Sequence, residues 1–249
     1  METKKVKQLL MATIVFSFVS LSSQTYQTKL IKQVNITYSG VTDTVDLMPI
    51  VINTNGNAVV SGNQKMNSTQ YNASTIDQLS TGVTNWISQY NSSNQKAFIT
   101  ANCKDALGNI YTAGAIRTNT TNGIDFLVMK LNSAGVTQWV YTYNGPNSTN
   151  DVASGVCVDP AGNVFVTGAS DGSGSNLIDY ATIMIDNTGN QQWCTRYNYN
   201  NSIDVPTGII YDPYTNEVVV SGSSGLGCNN RYSKCACWLL RFWNTTRTS

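Results

Sequence analysis

Residues 159–168 read DPAGNVFVTG, and close variants stand at 105–114 (DALGNIYTAG) and 212–222 (DPYTNEVVVSG). In DPAG, Asp opens a tight turn, Pro fixes φ at the second position and Gly supplies a left-handed residue. The segments on either side, ASGVCVD (153–159) and NVFVTG (163–168), are β-branched, so the turn joins two strands. Continuing outward, ASDGSGSNLI (169–178) has no periodicity and reads as a loop. DYATIMID (179–186) is a third strand, NTGN (187–190) a second turn, and QQWCTRY (191–197) a fourth strand. On that last strand Trp193, Thr195 and Tyr197 share a face by the period of two.

The pattern recurs with a fixed period. Gly62, Gly114, Gly168 and Gly222, which close the second strand, are 52, 54 and 54 residues apart. A separate motif, GVTNWISQY (82–90), GVTQWVYTY (135–143) and GNQQWCTRY (189–197), places Trp86, Trp139 and Trp193 at separations of 53 and 54. Two motifs keeping one period and one phase mark an internal repeat. A four-stranded antiparallel sheet cannot bury both faces alone; copies stacked around an axis bury each other. The expected fold is therefore all-β: β-propeller blades of four antiparallel strands, about four repeats of about 53 residues, in an incomplete or open ring. The expected blades are 43–90, 97–143, 151–197 and 204–249, the last incomplete. A parallel β-helix fits less well, because its coils are nearer 20–30 residues and need no hairpin in each unit. WD-type blades are shorter and carry Gly-His and Trp-Asp signatures absent here.

These residues resemble the SBBP-type β-propeller repeat of bacterial secreted proteins. The likeness rests on Asp-x-x-Gly-Asn followed by an apolar–aromatic–apolar strand and Gly, then Asp-aromatic opening a strand, then Gly-x-x-x-Trp-x-x-x-Tyr. Residues 105–222 carry it well; residues 43–104 carry it with erosion, Asn53 standing for Asp and Asn72 for Asp125 and Asp179. The resemblance implies a propeller, export and a bacterial surface or extracellular setting. It implies no common reaction. The tail, CNNRYSKCACWLLRFWNTTRTS (228–249), falls out of phase, which suggests a truncated or frame-shifted gene end.

Composition narrows the function. Of 249 residues, 12% are charged and the net charge is +1, so the basic footprint of a nucleic-acid binder is missing. There is no histidine, the commonest general base and metal ligand. Lys4, Lys5 and Lys7 precede an apolar run from Leu9 to Val19 and then SLSSQ, the layout of a secretory signal over 1–23, cut near Ser22 or Ser23. That run is shorter than the roughly 20 residues that span a bilayer. The mature chain, 24–249, is expected outside the cell or on its surface, with no membrane span. Of six cysteines, Cys103 and Cys157 share one repeat position with Val51 and Ile210, which reads as a small buried hydrophobe. A bridge from Cys228 to Cys235 or Cys237 stays open, and zinc fits poorly without His or a paired C-x-x-C.

A blade presents tight turns at one end of the ring and longer connections at the other. The long ones here are 115–124, 144–150, 169–178 and 198–203. Variable loops on a rigid scaffold are where binding concentrates. The candidate binding residues are accordingly Arg117, Asp125, Asp151, Asp179, Tyr199 and Asp204. The four aspartates recur once per blade, which also suits a structural task, accepting backbone N–H groups where a strand begins. Arg117 and Tyr199 escape the repeat. Asp105, Asp159 and Asp212 belong to turns. The segments 171–176 and 53–57 lack the carboxylates of a calcium loop, so neither metal nor cofactor is expected. The leading expectation is an exported binding or surface-interaction scaffold for a protein or glycan. The alternatives are a propeller hydrolase or lyase acting on extracellular polysaccharide, and a remnant of a longer propeller protein.

Overall fold

A computed structural model describes residues 15–16, 29–30, 49–65, 71–90, 96–117, 123–172, 178–199, 201–225 and 236–243. Among them every regular element is a strand, and no helix is long and apolar enough to cross a membrane. Two short strands, β1 (Val15–Phe16) and β2 (Lys29–Leu30), pair antiparallel. Blade 1 then comprises β3 (Ile50–Ile52), β4 (Ala58–Lys65), β5 (Tyr71–Gln78) and β6 (Thr84–Tyr90). Blade 2 comprises β7 (Ala97–Lys104), β8 (Ile110–Ile116), β9 (Asp125–Leu131) and β10 (Thr137–Tyr143). Blade 3 comprises β11 (Asp151–Val158), β12 (Val164–Asp171), β13 (Ile178–Ile185) and β14 (Gln191–Tyr197). Blade 4 comprises β15 (Asp204–Asp212), β16 (Glu217–Ser224) and β17 (Ala236–Trp243).

Each blade is an antiparallel meander in chain order, and the first strands of successive blades lie side by side: β3 by β7, β7 by β11, β11 by β15. This is a β-propeller arc. The out-of-phase tail contributes a strand after all, since Leu240 and Phe242 of β17 pack on the cluster between blades 3 and 4. Most of the suggested export signal, the loop segments 118–122 and 173–177, and the candidate bridge partners Cys228 and Cys235 fall outside the described residues. Cys103, Cys157 and Cys194 are free thiols. Burial raises the first two, Cys157 to about 12, with Asp159 adding to the effect there, as suits packed hydrophobes rather than reactive groups.

The core lies between sheets. Tyr111, Ala113, Phe126 and Val128 of blade 2 meet Val156, Val164, Val166, Ala181, Ile183 and Ile185 of blade 3. Because blades 2 and 3 are covered on both sides, β8 is buried at every residue and the polar–apolar alternation of a half-exposed strand disappears.

The repeated glycine follows from a bulge. The first strand of blades 2, 3 and 4 slips register at Thr100, Ser154 and Thr207, opposite Gly114, Gly168 and Gly222. The bulge drives the neighbouring carbonyl onto the glycine: a Cβ would collide with Phe98 O at Gly114, Val152 O at Gly168 and Val205 O at Gly222. The bulged hydroxyl also joins blades. Thr100 Oγ1 donates to Ala113 O at 3.2 Å within its blade and to Ala153 O at 2.6 Å in the next. Ser154 Oγ does the same toward Thr167 O (3.5 Å) and Pro206 O (2.9 Å).

The tryptophan motif is explained in space rather than along the chain. Trp86 lies against Gly135 and its Nε1–H donates to Ser133 O (3.2 Å); Trp139 lies against Gly189 and donates to Asn187 O (3.2 Å). Each indole thus rests on the last turn of the following blade, and Gly135 and Gly189, at φ of 79° and 95°, leave it room.

The turns are held by short acidic or amide side chains. Asp105 Oδ1 accepts Leu107 and Asn109 N–H, and its Oδ2 accepts Asn109 Nδ2 and Tyr111 OH. Asp159 binds Asn163 in the same way. In blade 1 Asn53 caps the Asn55 and Asn57 N–H groups, while the fully buried Asp77 collects the amides of Asn53, Asn57 and Asn85. At the other turn Asp186 Oδ1 accepts Thr188 N–H, Thr188 Oγ1 and Asn190 N–H, which lowers its pKa to about 2. A folded-state pKa below the unfolded one adds stability above about pH 4 that is lost as pH falls through about 2. Asp186→Asn keeps the acceptor, as Asn132 does in blade 2, but not the charge. The stability gap between wild type and this variant, measured by urea titration, is expected to shrink steadily from pH 5 to pH 2.

Candidate functional site

All six residues singled out in the sequence lie at the end of the blades opposite the Asp turns. They stand at the starts of β9, β11 and β15, at the second residue of β13, or in the loops beside these strands. They occupy three blades and do not converge on one point.

Blade 3 has the densest arrangement. Asp151, Ser170 and Asp179 stand opposite one another on β11, β12 and β13, so they form one row across the sheet. Arg196 reaches over that row from β14. Its Nη1 bonds Ser170 Oγ (2.5 Å) and Tyr143 OH of blade 2 (3.3 Å). Its Nη2 bonds Ser170 O (3.1 Å), Asp171 O (3.1 Å) and Asp179 Oδ2 (3.0 Å). The planar guanidinium suits this work, since its donors point in fixed directions toward several acceptors. It ties three strands together and fastens blade 3 to blade 2. Asp151 accepts Gly145 N–H at 2.7 Å. Burial raises its pKa, against the lowering pull of Ser170, the Gly145 N–H and Arg196.

Blade 4 repeats part of this. Asp204 accepts Tyr199 N–H (2.8 Å) and bonds the Ser202 and Ser224 hydroxyls. Asp151 and Asp204 therefore share one role: each anchors the backbone of the loop that enters its blade. Both loops also close in the same way, Ser148 N–H on Gly145 O and Ser202 N–H on Tyr199 O (3.1 Å each). They differ at the matching position, where Gly145 is buried and Tyr199 is 43% exposed. In blade 2 Asp125 faces Ile116 across the sheet. Arg117 follows β8; its N–H donates to Lys96 O (2.8 Å), and its buried Nε makes no hydrogen bond among the described residues.

The carboxylates are out of reach of a large ligand. Asp125, Asp151, Asp179 and Asp204 are 6%, 1%, 5% and 0% exposed. The sequence pointed to this end of the fold and to the backbone role of Asp151 and Asp204. It passed over Arg196, whose one signal was a break in the repeat: positions 89, 142 and 196 are Gln, Thr and Arg. It also passed over Asp77, where blades 2 and 3 carry Lys130 and Met184. No group of three or more metal-binding side chains occurs among the described residues.

The chain matches no family model and no curated protein. Among solved structures, an endo-arabinase from Bacteroides thetaiotaomicron is similar with a TM-score of 0.45 and 8% identity, over 82% of this chain and 77% of that one. At that identity and score the likeness carries no weight for activity.

Proposed function

We propose that the protein is an exported β-propeller scaffold that binds a protein or glycan through the loop-bearing end of its blades. One observation carries this reading. The four recurring aspartates at that end are buried, Asp151 and Asp204 holding loop backbone and Asp179 paired with Arg196, so the groups left to meet a large partner are the non-repeating ones on the loops, Tyr199 and Ile203 first among them at 43% and 40% exposure. An exposed tyrosine on a rigid support offers apolar area and a hydroxyl at small entropic cost, which suits recognition of a sugar ring or a peptide. A polymer-cleaving enzyme would instead need a carboxylate that reaches its substrate.

The test is an array of plant and microbial polysaccharides probed with the full chain and with Tyr199→Ala. Tyr199 is 43% exposed, and the variant is expected to lose binding about tenfold or more, on the scale of a stacked aromatic contact, with its melting temperature measured alongside as the control for folding. Binding unchanged by Tyr199→Ala and by Ile203→Ser would refute the assignment of this face. Release of reducing ends from any polymer would replace the scaffold reading with the enzymatic one. Export is checked separately, by N-terminal sequencing of chain recovered from the medium: a new terminus near residue 23 is expected, and an intact Met1 would exclude processing.

A further inference from the structure

The two outermost blade faces are built like the faces buried between blades, and they complement each other. On blade 1, Ile50, Val60, Ile76 and Ile87 stand opposite one another across β3, β4, β5 and β6, forming one row. They lie on the face turned away from blade 2, because the alternate row holds Val51, Val59 and Trp86, which pack on blade 2. The same register row in blade 3 is Val156, Val166, Ile183 and Cys194, buried against blade 2. In blade 4 it is Ile209, Val220 and Leu240, packed against blade 3. Blade 1 thus carries the same aliphatic row, yet Ile50 is 39% and Ile87 57% exposed.

The far face of blade 4 is the opposite half. Its row is Ile210, Val219 and Arg241, at the register places that Cys157, Phe165 and Met184 occupy where blade 3 meets blade 4. Ile210 is 62% exposed, Val219 beside it is 8% exposed, and Arg241 is paired with Glu217 at 2.9 Å. Two polar details continue the series. Thr207 is the third bulged hydroxyl; it donates to Ser221 O of its own blade (3.4 Å), as Thr100 and Ser154 do in theirs, and among the described residues it lacks their second acceptor on a following blade. Gly82 in blade 1 corresponds to Gly135 and Gly189, but nothing lies within 4 Å of where its Cβ would be, whereas the other two each carry the tryptophan of the preceding blade.

We infer that the occupant of these faces is a second copy of the chain, joined head to tail, the far face of blade 4 in one copy on the free face of blade 1 in the other. This extends an interface that already occurs three times within the chain. It goes beyond the proposed ligand binding, which uses the end of the blades rather than their flanks. A contact between two different faces closes into a ring when the rotation allows and otherwise runs on as a filament.

Sedimentation velocity on the full chain and two variants tests this, with far-UV circular dichroism and thermal midpoint as controls for folding. Wild type is expected at twice the monomer mass or more at tens of micromolar. Ile210→Asp and Ile87→Asp, both at exposed positions, should each sediment as monomers. Mixed, they should form dimers again, because each retains the face the other has lost. Should either variant unfold, Thr207→Arg and Ile50→Arg substitute for them with the same expectations. A monomeric wild type overturns the inference. So do variants that stay associated, which would place the contact elsewhere, and a mixture that stays monomeric, which would point to a self-complementary contact.

Discussion

Gly168→Ala should cost about 3 kcal/mol or more, toward the top of the range for forcing an extra group into a packed interior. A methyl there would stand 2.6 Å from Ala153 Cα and 2.6 Å from the Phe126 ring of the preceding blade, as well as on the Val152 carbonyl. Two of those three obstacles are backbone, so rotamer changes cannot relieve them. In thermal unfolding followed by circular dichroism, the midpoint should fall by roughly 6–12 °C, at about 2–4 °C per kcal/mol for a chain of this size. Gly56→Ala is the matched control. Gly56 has φ of 81° but nothing within 4 Å of a Cβ, so its penalty should be only the roughly 1–2 kcal/mol of a left-handed residue. Equal losses at the two sites would mean that the bulge does not dictate the repeated glycine.

Phe126→Ala should destabilise the chain by about 3–5 kcal/mol, the usual cost of emptying a fully buried aromatic site. Phe126 is 0% exposed, belongs to the cluster shared by blades 2 and 3, and sits 5.3 Å from the Tyr143 ring in a tilted pair. Gly168 has no side chain to move in, so the space collapses poorly. Urea unfolding measures the effect as a shift in midpoint with little change in slope. A loss below 1 kcal/mol would show that the two sheets are not packed through this residue.

Legibility followed the division of labour among residues. Asp159, Pro160 and Gly162 act locally, within one turn, and their chemistry is readable from the sequence alone. Gly168 and Trp139 act between blades, yet every copy must solve the same packing problem, so their spacing betrayed them. The bulge opposite Gly168 was not legible, because a slip of register leaves only a glycine in the sequence and many structures require a glycine. Arg196 and Asp77 occur once. A break in the repeat marks each position but not its task, which is plain only from the five acceptors around the arginine and the three amides around the aspartate. The loop-end aspartates show the converse. Their recurrence suited a backbone role, and Asp151 and Asp204 have it, whereas Asp179 instead faces the unrepeated Arg196.

The most direct measurement is a double-mutant cycle across the join between blades 2 and 3, using Phe126→Leu and Val166→Ala. Both residues are 0% exposed, both belong to one cluster, and 40 residues separate them in the chain. If neighbouring sheets bury their apolar faces in each other, the two changes should be non-additive by about 0.5 kcal/mol or more. Additivity within about 0.3 kcal/mol, with both single variants folded, would contradict that packing.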